Sequence, residues 1–248
     1  MKFPIALQPY TVREELNKDY FGTLSRIAEI GYQGIELGPP PAGITIAELK
    51  EHVNRLGLQI IGCHARLEQL TIDLDTQIDY LHEVGGSYLG LSHRFDSKQA
   101  VLEAAQTFNR IGDNCRKRGI QFVYHNHNWE FTRFDGEYAY DRLLQATDPE
   151  RVKMELDTYW VKRGGEEPVD YLRKLHNRCP LLHIKDVEPG EEQFFAEVGE
   201  GILDFDAILR EAEAAGTQWL VVEQDATRRP VFESITISYH NLQRMGVI

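Results

Sequence analysis

Eight short apolar runs, separated by stretches of helical period, constrain this chain more than any other feature of it. The runs are IALQPY (5–10), GIELG (34–38), QIIGCHA (59–65), SYLGLSH (87–93), QFVYHNH (121–127), VKMELDT (152–158), PLLHIKDV (180–187) and WLVVEQD (219–225). Short apolar runs alternating with amphipathic segments mark parallel strands joined by helical crossovers. FGTLSRIAEIGY, TIAELKEHVNRLGL, KQAVLEAAQTFNRIGDNCRKRGI and DFDAILREAEAAGT are such segments, with Gly31, Gly57, Gly119 and Gly216 placed to end their helices. Eight units in 248 residues predict an α/β fold, a (β/α)8 TIM barrel forming one domain over 1–248. An open doubly wound sheet is the competing arrangement. It usually carries a Gly-rich phosphate loop after its first strand, and LQPYTVREEL has none.

Composition narrows the partners. A formal charge of -12 argues against a nucleic acid over most of the surface. No apolar stretch is long enough to cross a bilayer, so no membrane partner is expected. Three widely spaced cysteines, Cys63, Cys115 and Cys179, suit neither a disulfide framework nor a cysteine zinc site. MKFPIALQPYTVR is too short and polar for a signal peptide, and a cytoplasmic location is expected. A homo-oligomer is compatible with the sequence.

Barrel chemistry sits where strands end, and these runs end in polar residues: Gln8, Glu36, His64, His93, His125 with His127, Glu155 with Asp157, His183 with Lys185, and Glu223 with Asp225. Any one of them alone reads as a solvated or hydrogen-bonded side chain. Together, the last four strands bring metal-competent groups to one mouth. Carboxylates such as Asp157 and Glu223 would repel there unless a cation lay between them, and a divalent metal supplies it. Strand alternation puts His125 and His127 on one face, about 7 Å apart, and sets Glu155 deeper than Asp157, where it suits orienting His125 or Lys185. Lys185 reads equally as an ion-pair partner of Glu155 or Asp157 and as a donor to a developing enolate oxygen. Glu36, His64, Trp129 and Trp160 are candidate substrate contacts, the tryptophans as apolar platforms for a sugar, while loop or core packing is the plain alternative for each.

The motifs GYQGIELG, LDT, HIKD, VGEGILDF and VVEQD, in this order and spacing, resemble the sugar phosphate isomerase/epimerase superfamily of xylose-isomerase-like barrels, whose members include D-tagatose 3-epimerase and inosose dehydratases. The resemblance implies a small-molecule sugar or polyol substrate. It also implies one divalent ion, Mn2+ first and Co2+, Zn2+ or Mg2+ as substitutes, held by His125, Asp157, His183 and Glu223. His125 stands where the epimerases carry a glutamate, which removes a charge and a base. Trp160 replaces a substrate-binding histidine.

By the same resemblance the expected activity is proton abstraction beside a carbonyl through an enediolate, giving isomerisation or epimerisation. Glu223 and His127 would be the proton carriers and Lys185 the donor. A dehydratase or lyase of the inosose or 3-keto-sugar type is the alternative outcome from the same enolate, and His127 resembles the base of the dehydratase branch, expected to titrate near 6.5. An apurinic-site nuclease or a non-catalytic sugar-binding barrel are further readings; the acidic balance opposes the first.

Overall fold

The computed structural model describes residues 2–247. Eight parallel strands close into a barrel: β1 (Ile5–Leu7), β2 (Gly34–Glu36), β3 (Gln59–His64), β4 (Tyr88–Leu91), β5 (Gln121–His125), β6 (Lys153–Asp157), β7 (Leu181–Ile184) and β8 (Trp219–Val222). Each pairs in parallel with its neighbours in sequence, and β8 closes on β1 through Ile5↔Leu220 and Leu7↔Val222. Among the described residues no helix is long and apolar enough to cross a membrane. The three cysteines are free and buried.

The crossover helices start and stop on local chemistry. Thr45 and Glu48 form a reciprocal capping box at the start of helix Ile46–Leu56, and Gly57, at φ 67°, ends it in a left-handed turn that a side chain would strain. Asp19, Ser97 and Asp204 cap the helices Tyr20–Ile30, Lys98–Lys117 and Phe205–Ala214 with side-chain oxygens. The main core lies between barrel and helices. A second, small cluster fills the barrel itself: Ala6, Ile61, Tyr88, Val123, Leu181 and Val221. Two residues further along most of these strands the inward positions turn polar, so the apolar plug becomes the floor of a polar mouth.

All eight strands stop one to three residues before the apolar runs do. Pro9 has no N–H to continue the ladder, and Gln8 instead caps a turn by accepting from the Tyr10 N–H. Asp157 leaves the sheet by capping helix Thr158–Arg163, accepting the Trp160 N–H at 2.9 Å. Gln8, Lys185, Glu223 and Asp225 lie past the last residues of their strands, whereas Glu36, His64, His125, Asp157 and His183 lie within theirs.

Candidate active site

The mouth is built from a lower and an upper tier. In the lower tier Glu155, with no exposed surface, puts Oε2 2.7 Å from His64 Nε2, 3.0 Å from His125 Nδ1 and 3.4 Å from His183 Nε2. Glu36 joins through Oε2, 2.8 Å from His183 Nε2, and accepts a hydrogen bond from Gln8 Nε2 at 2.8 Å. The backbone allows this closeness: a Cβ on Gly90 of β4 would stand 2.3 Å from the His64 ring.

The upper tier centres on Lys185, 1% exposed. Its Nζ lies 3.0 Å from Asp157 Oδ2, 2.6 Å from Glu223 Oε2 and 2.9 Å from Asp225 Oδ1. Glu223 Oε2 also lies 2.9 Å from His183 Nδ1. Asn126 faces away from the mouth, and its Oδ1 accepts the Asp157 N–H at 3.0 Å, fixing β5 against β6 where their ladder ends.

Charge follows from these contacts. Burial alone would lower Lys185, but Asp157, Glu223 and Asp225 outweigh it and keep the ammonium charged. Burial would raise Glu223; Lys185 and His183 overcome that and hold it ionised. Burial and the nearby Glu155 push Glu36 up to about 7. Burial lowers His125 to about 4, helped by His183, whereas at His64 the carboxylates Glu155 and Glu36 overcome burial and lift it to about 9.

His127 corrects an expectation. It lies beyond the end of β5, its N–H donates to Glu130 Oε2 at 2.9 Å, and its ring folds back to 5.0 Å from that of His125 and stacks on Trp129 at 4.0 Å. Burial, with His125 and Lys185 adding to it, lowers His127 to about 2, so it does not titrate near 6.5. The imidazole is neutral, and its buried Nδ1 has no hydrogen-bond partner.

His125, Asp157, His183 and Glu223 do come together, with one donor atom from each within 4.8 Å of the others; so do His64, His125, Glu155 and His183. Glu36 and His64, expected to touch substrate, belong to the lower tier. Trp129 and Trp160 flank His127, their buried indole N–H groups without partners. His93 packs on Phe95 and Phe108, away from the cluster. Asp225, in the sequence only one more polar residue at a strand end, pairs with Lys185. The period-2 step from Glu223 to Asp225 was the available signal.

A closed (β/α)8 barrel with a buried carboxylate, imidazole and ammonium cluster at the C-terminal ends of its strands is the class that fold and site define. Residues 24–240 match the xylose isomerase-like TIM barrel family, and the chain belongs to it. It is similar to the inosose dehydratase of Geobacillus kaustophilus (strain HTA426), 28% identical over 82% of this chain and 79% of that protein. It is similar also to that of Geobacillus thermodenitrificans (strain NG80-2), 27% identical over 82% and 80%. A sugar phosphate isomerase/epimerase from Parabacteroides distasonis ATCC 8503 superposes with TM-score 0.84 at 28% identity, covering 96% of this chain and 93% of that one.

Proposed function

We propose that the chain is a metal-dependent enzyme that removes a proton from the carbon beside a carbonyl of a keto-sugar or keto-polyol and completes a dehydration. The observation that carries this reading is the pairing at the mouth of an ionised Glu223 with a buried, charged Lys185. A base and an electrophile within one hydrogen bond are what enolisation needs.

The donor set suits a divalent ion. His125 and His183 belong to both four-residue groups, which Asp157 and Glu223 or His64 and Glu155 complete, and Glu155 Oε1 is buried without a partner. A mixed imidazole and carboxylate set fits Mn2+, Co2+ or Zn2+. Such an ion, when bound, polarises the carbonyl and makes the neighbouring C–H acidic. Glu223 touches Lys185 and His183 through the same oxygen, Oε2, so Oε1 is the atom assigned to take the proton. Lys185 donates to the oxygen that gains charge. His127, neutral, accepts a hydrogen bond from a substrate hydroxyl at Nδ1, and the indoles of Trp129 and Trp160 donate to others. The Glu223 carboxyl then returns its proton to the departing β-hydroxyl, which leaves as water.

Two considerations favour dehydration: the similarity to inosose dehydratases, and His125, which the family resemblance sets where the epimerases carry the second glutamate of their two-base mechanism. Isomerisation or epimerisation is the second reading, favoured by the likeness to the Parabacteroides protein. It differs only in that Glu223 returns the proton to carbon. Incubating the metal-loaded chain with inososes and 3-keto-sugars separates the two, since an unsaturated product with loss of water supports dehydration and an isomer of unchanged mass supports the second.

A further inference from the structure

The motifs HIKD and VGEGILDF, residues 183–186 and 198–205, meet at one side chain that the reaction above does not use. Asp186 has no exposed surface, and both its oxygens are taken by backbone N–H groups. Oδ1 accepts from Val187 at 2.8 Å and from Leu203 at 3.1 Å, while Oδ2 accepts from Gly199 at 3.0 Å and from Gly201 at 2.9 Å. Alternate residues of the segment 199–203 thus turn their N–H groups onto one carboxylate, an anion-binding nest whose anion belongs to the chain itself.

The close approach demands glycine at 201. Its φ is not positive, so backbone freedom is not the reason, but a Cβ there would stand 2.3 Å from Asp186 Oδ1 and 2.4 Å from the Val187 carbonyl oxygen. The Ile202 N–H closes the same junction by donating to that carbonyl at 3.0 Å.

Asp186 also opens a hairpin, in which Asp186–Val187 pairs antiparallel with Phe195–Ala196. Phe195 stacks on Tyr159 at 4.1 Å and meets Trp160 edge-on at 6.0 Å, and the Tyr159 hydroxyl donates to the Gln193 carbonyl at 2.9 Å. Trp160 in turn lies 5.3 Å from the His127 ring.

We infer that Asp186 is a positioning residue for substrate binding: it anchors the hairpin whose Phe195 and Gln193 hold Tyr159 and Trp160 as one wall of the mouth. This rests on the substrate contact assigned to Trp160 above and names what holds it in place. The backbone of Lys185, one residue before, is secured independently, since the Thr158 hydroxyl accepts its N–H at 3.0 Å and donates to its carbonyl at 2.7 Å. Loss of the anchor therefore moves the wall and leaves the lysine backbone in place.

A carboxylate is required because all four partners are donors. Asparagine at this position would turn its NH2 toward two of the N–H groups and leave them buried without an acceptor. Gly201→Ala breaks the same junction from the other side without altering a charge.

Acrylamide quenching of Trp160, read as the difference between each protein and its Trp160→Phe counterpart, tests this beside steady-state kinetics on whichever inosose or 3-keto-sugar the wild type converts. In Asp186→Asn and Gly201→Ala the quenching constant of Trp160 should roughly double or more, and KM should rise about tenfold with kcat within about threefold, the pattern of a lost binding contact. Phe195→Ala, which leaves the carboxylate and its four bonds alone, should give the same two changes. Variants with a lowered Tm but wild-type quenching and KM would overturn the inference, because a residue that only stabilises the fold gives that result. Hydrogen exchange on the unaltered chain stands even where a variant misfolds. Protected amides at Gly199, Gly201 and Leu203, which lie outside helix and strand, support the anchor, and exchange at the rate of an open loop would overturn it. A wild-type chain that converts no inosose or 3-keto-sugar would overturn the enzymatic reading itself, and the quenching then decides whether Asp186 sets the wall.

Discussion

Lys185 Nζ lies 2.6 Å from Glu223 Oε2, and this one pair joins the buried cation of the mouth to the carboxylate assigned to move the proton. Removing the ammonium strands three carboxylates at once. Lys185→Met should cost about 3–5 kcal/mol of stability, the scale for breaking a buried ion pair by removing one partner, and lower turnover roughly 100-fold or more. Urea unfolding and steady-state kinetics check the two effects separately.

Glu223→Gln keeps the size and one carbonyl oxygen but cannot accept a proton. Turnover should fall roughly 1000-fold or more, while metal content, measured on the same samples, stays at the wild-type stoichiometry. Activity and metal vanishing in proportion would make Glu223 a ligand and place the base elsewhere.

His127 gives a prediction about pH. With its imidazole held neutral to about 2, it supplies no acidic limb near 6.5 to the kcat/KM profile. His127→Gln should therefore lower kcat/KM about tenfold, through a lost substrate hydrogen bond, without changing the shape of the profile between pH 5 and 8. A limb near 6.5 in wild type that disappears in the variant would restore His127 as the titrating base.

How far the sequence reaches is visible in His127 and its neighbours. Apolar runs identified the strands, and period-2 alternation most of the inward-facing groups, because side-chain direction within a strand is a local property. Beyond the last ladder bond that rule lapses. His127 lies past it, and its position depends on Glu130 capturing its N–H and on Trp129 stacking against it, neither of which alternation encodes. The need for a cation between Asp157 and Glu223 was legible from charge alone. That Lys185 also approaches both carboxylates depends on a side-chain conformation set by packing.

Glu130 links the site to stability. It accepts the Tyr124 hydroxyl at 2.5 Å and the His127 N–H, and burial pushes it up to about 8. Between about 4.5 and 8 the folded chain thus holds a proton that the unfolded chain has released, so this contribution is complete below 4.5 and is lost as the pH rises through 8. Glu130→Gln cannot titrate. Its Tm should fall less steeply than that of wild type between pH 5 and 9, whatever its absolute value; parallel slopes would show that Glu130 is ionised throughout.

Proton abstraction beside a carbonyl is read most directly by the fate of the hydrogen on that carbon. Metal-loaded chain acting in H2O on inososes and 3-keto-sugars deuterated at the carbon beside the carbonyl should give a product that has lost the deuterium from that carbon, with Glu223→Gln slowing the loss roughly 1000-fold. Product that keeps its deuterium at that carbon, or loss at the wild-type rate in Glu223→Gln, would contradict the account.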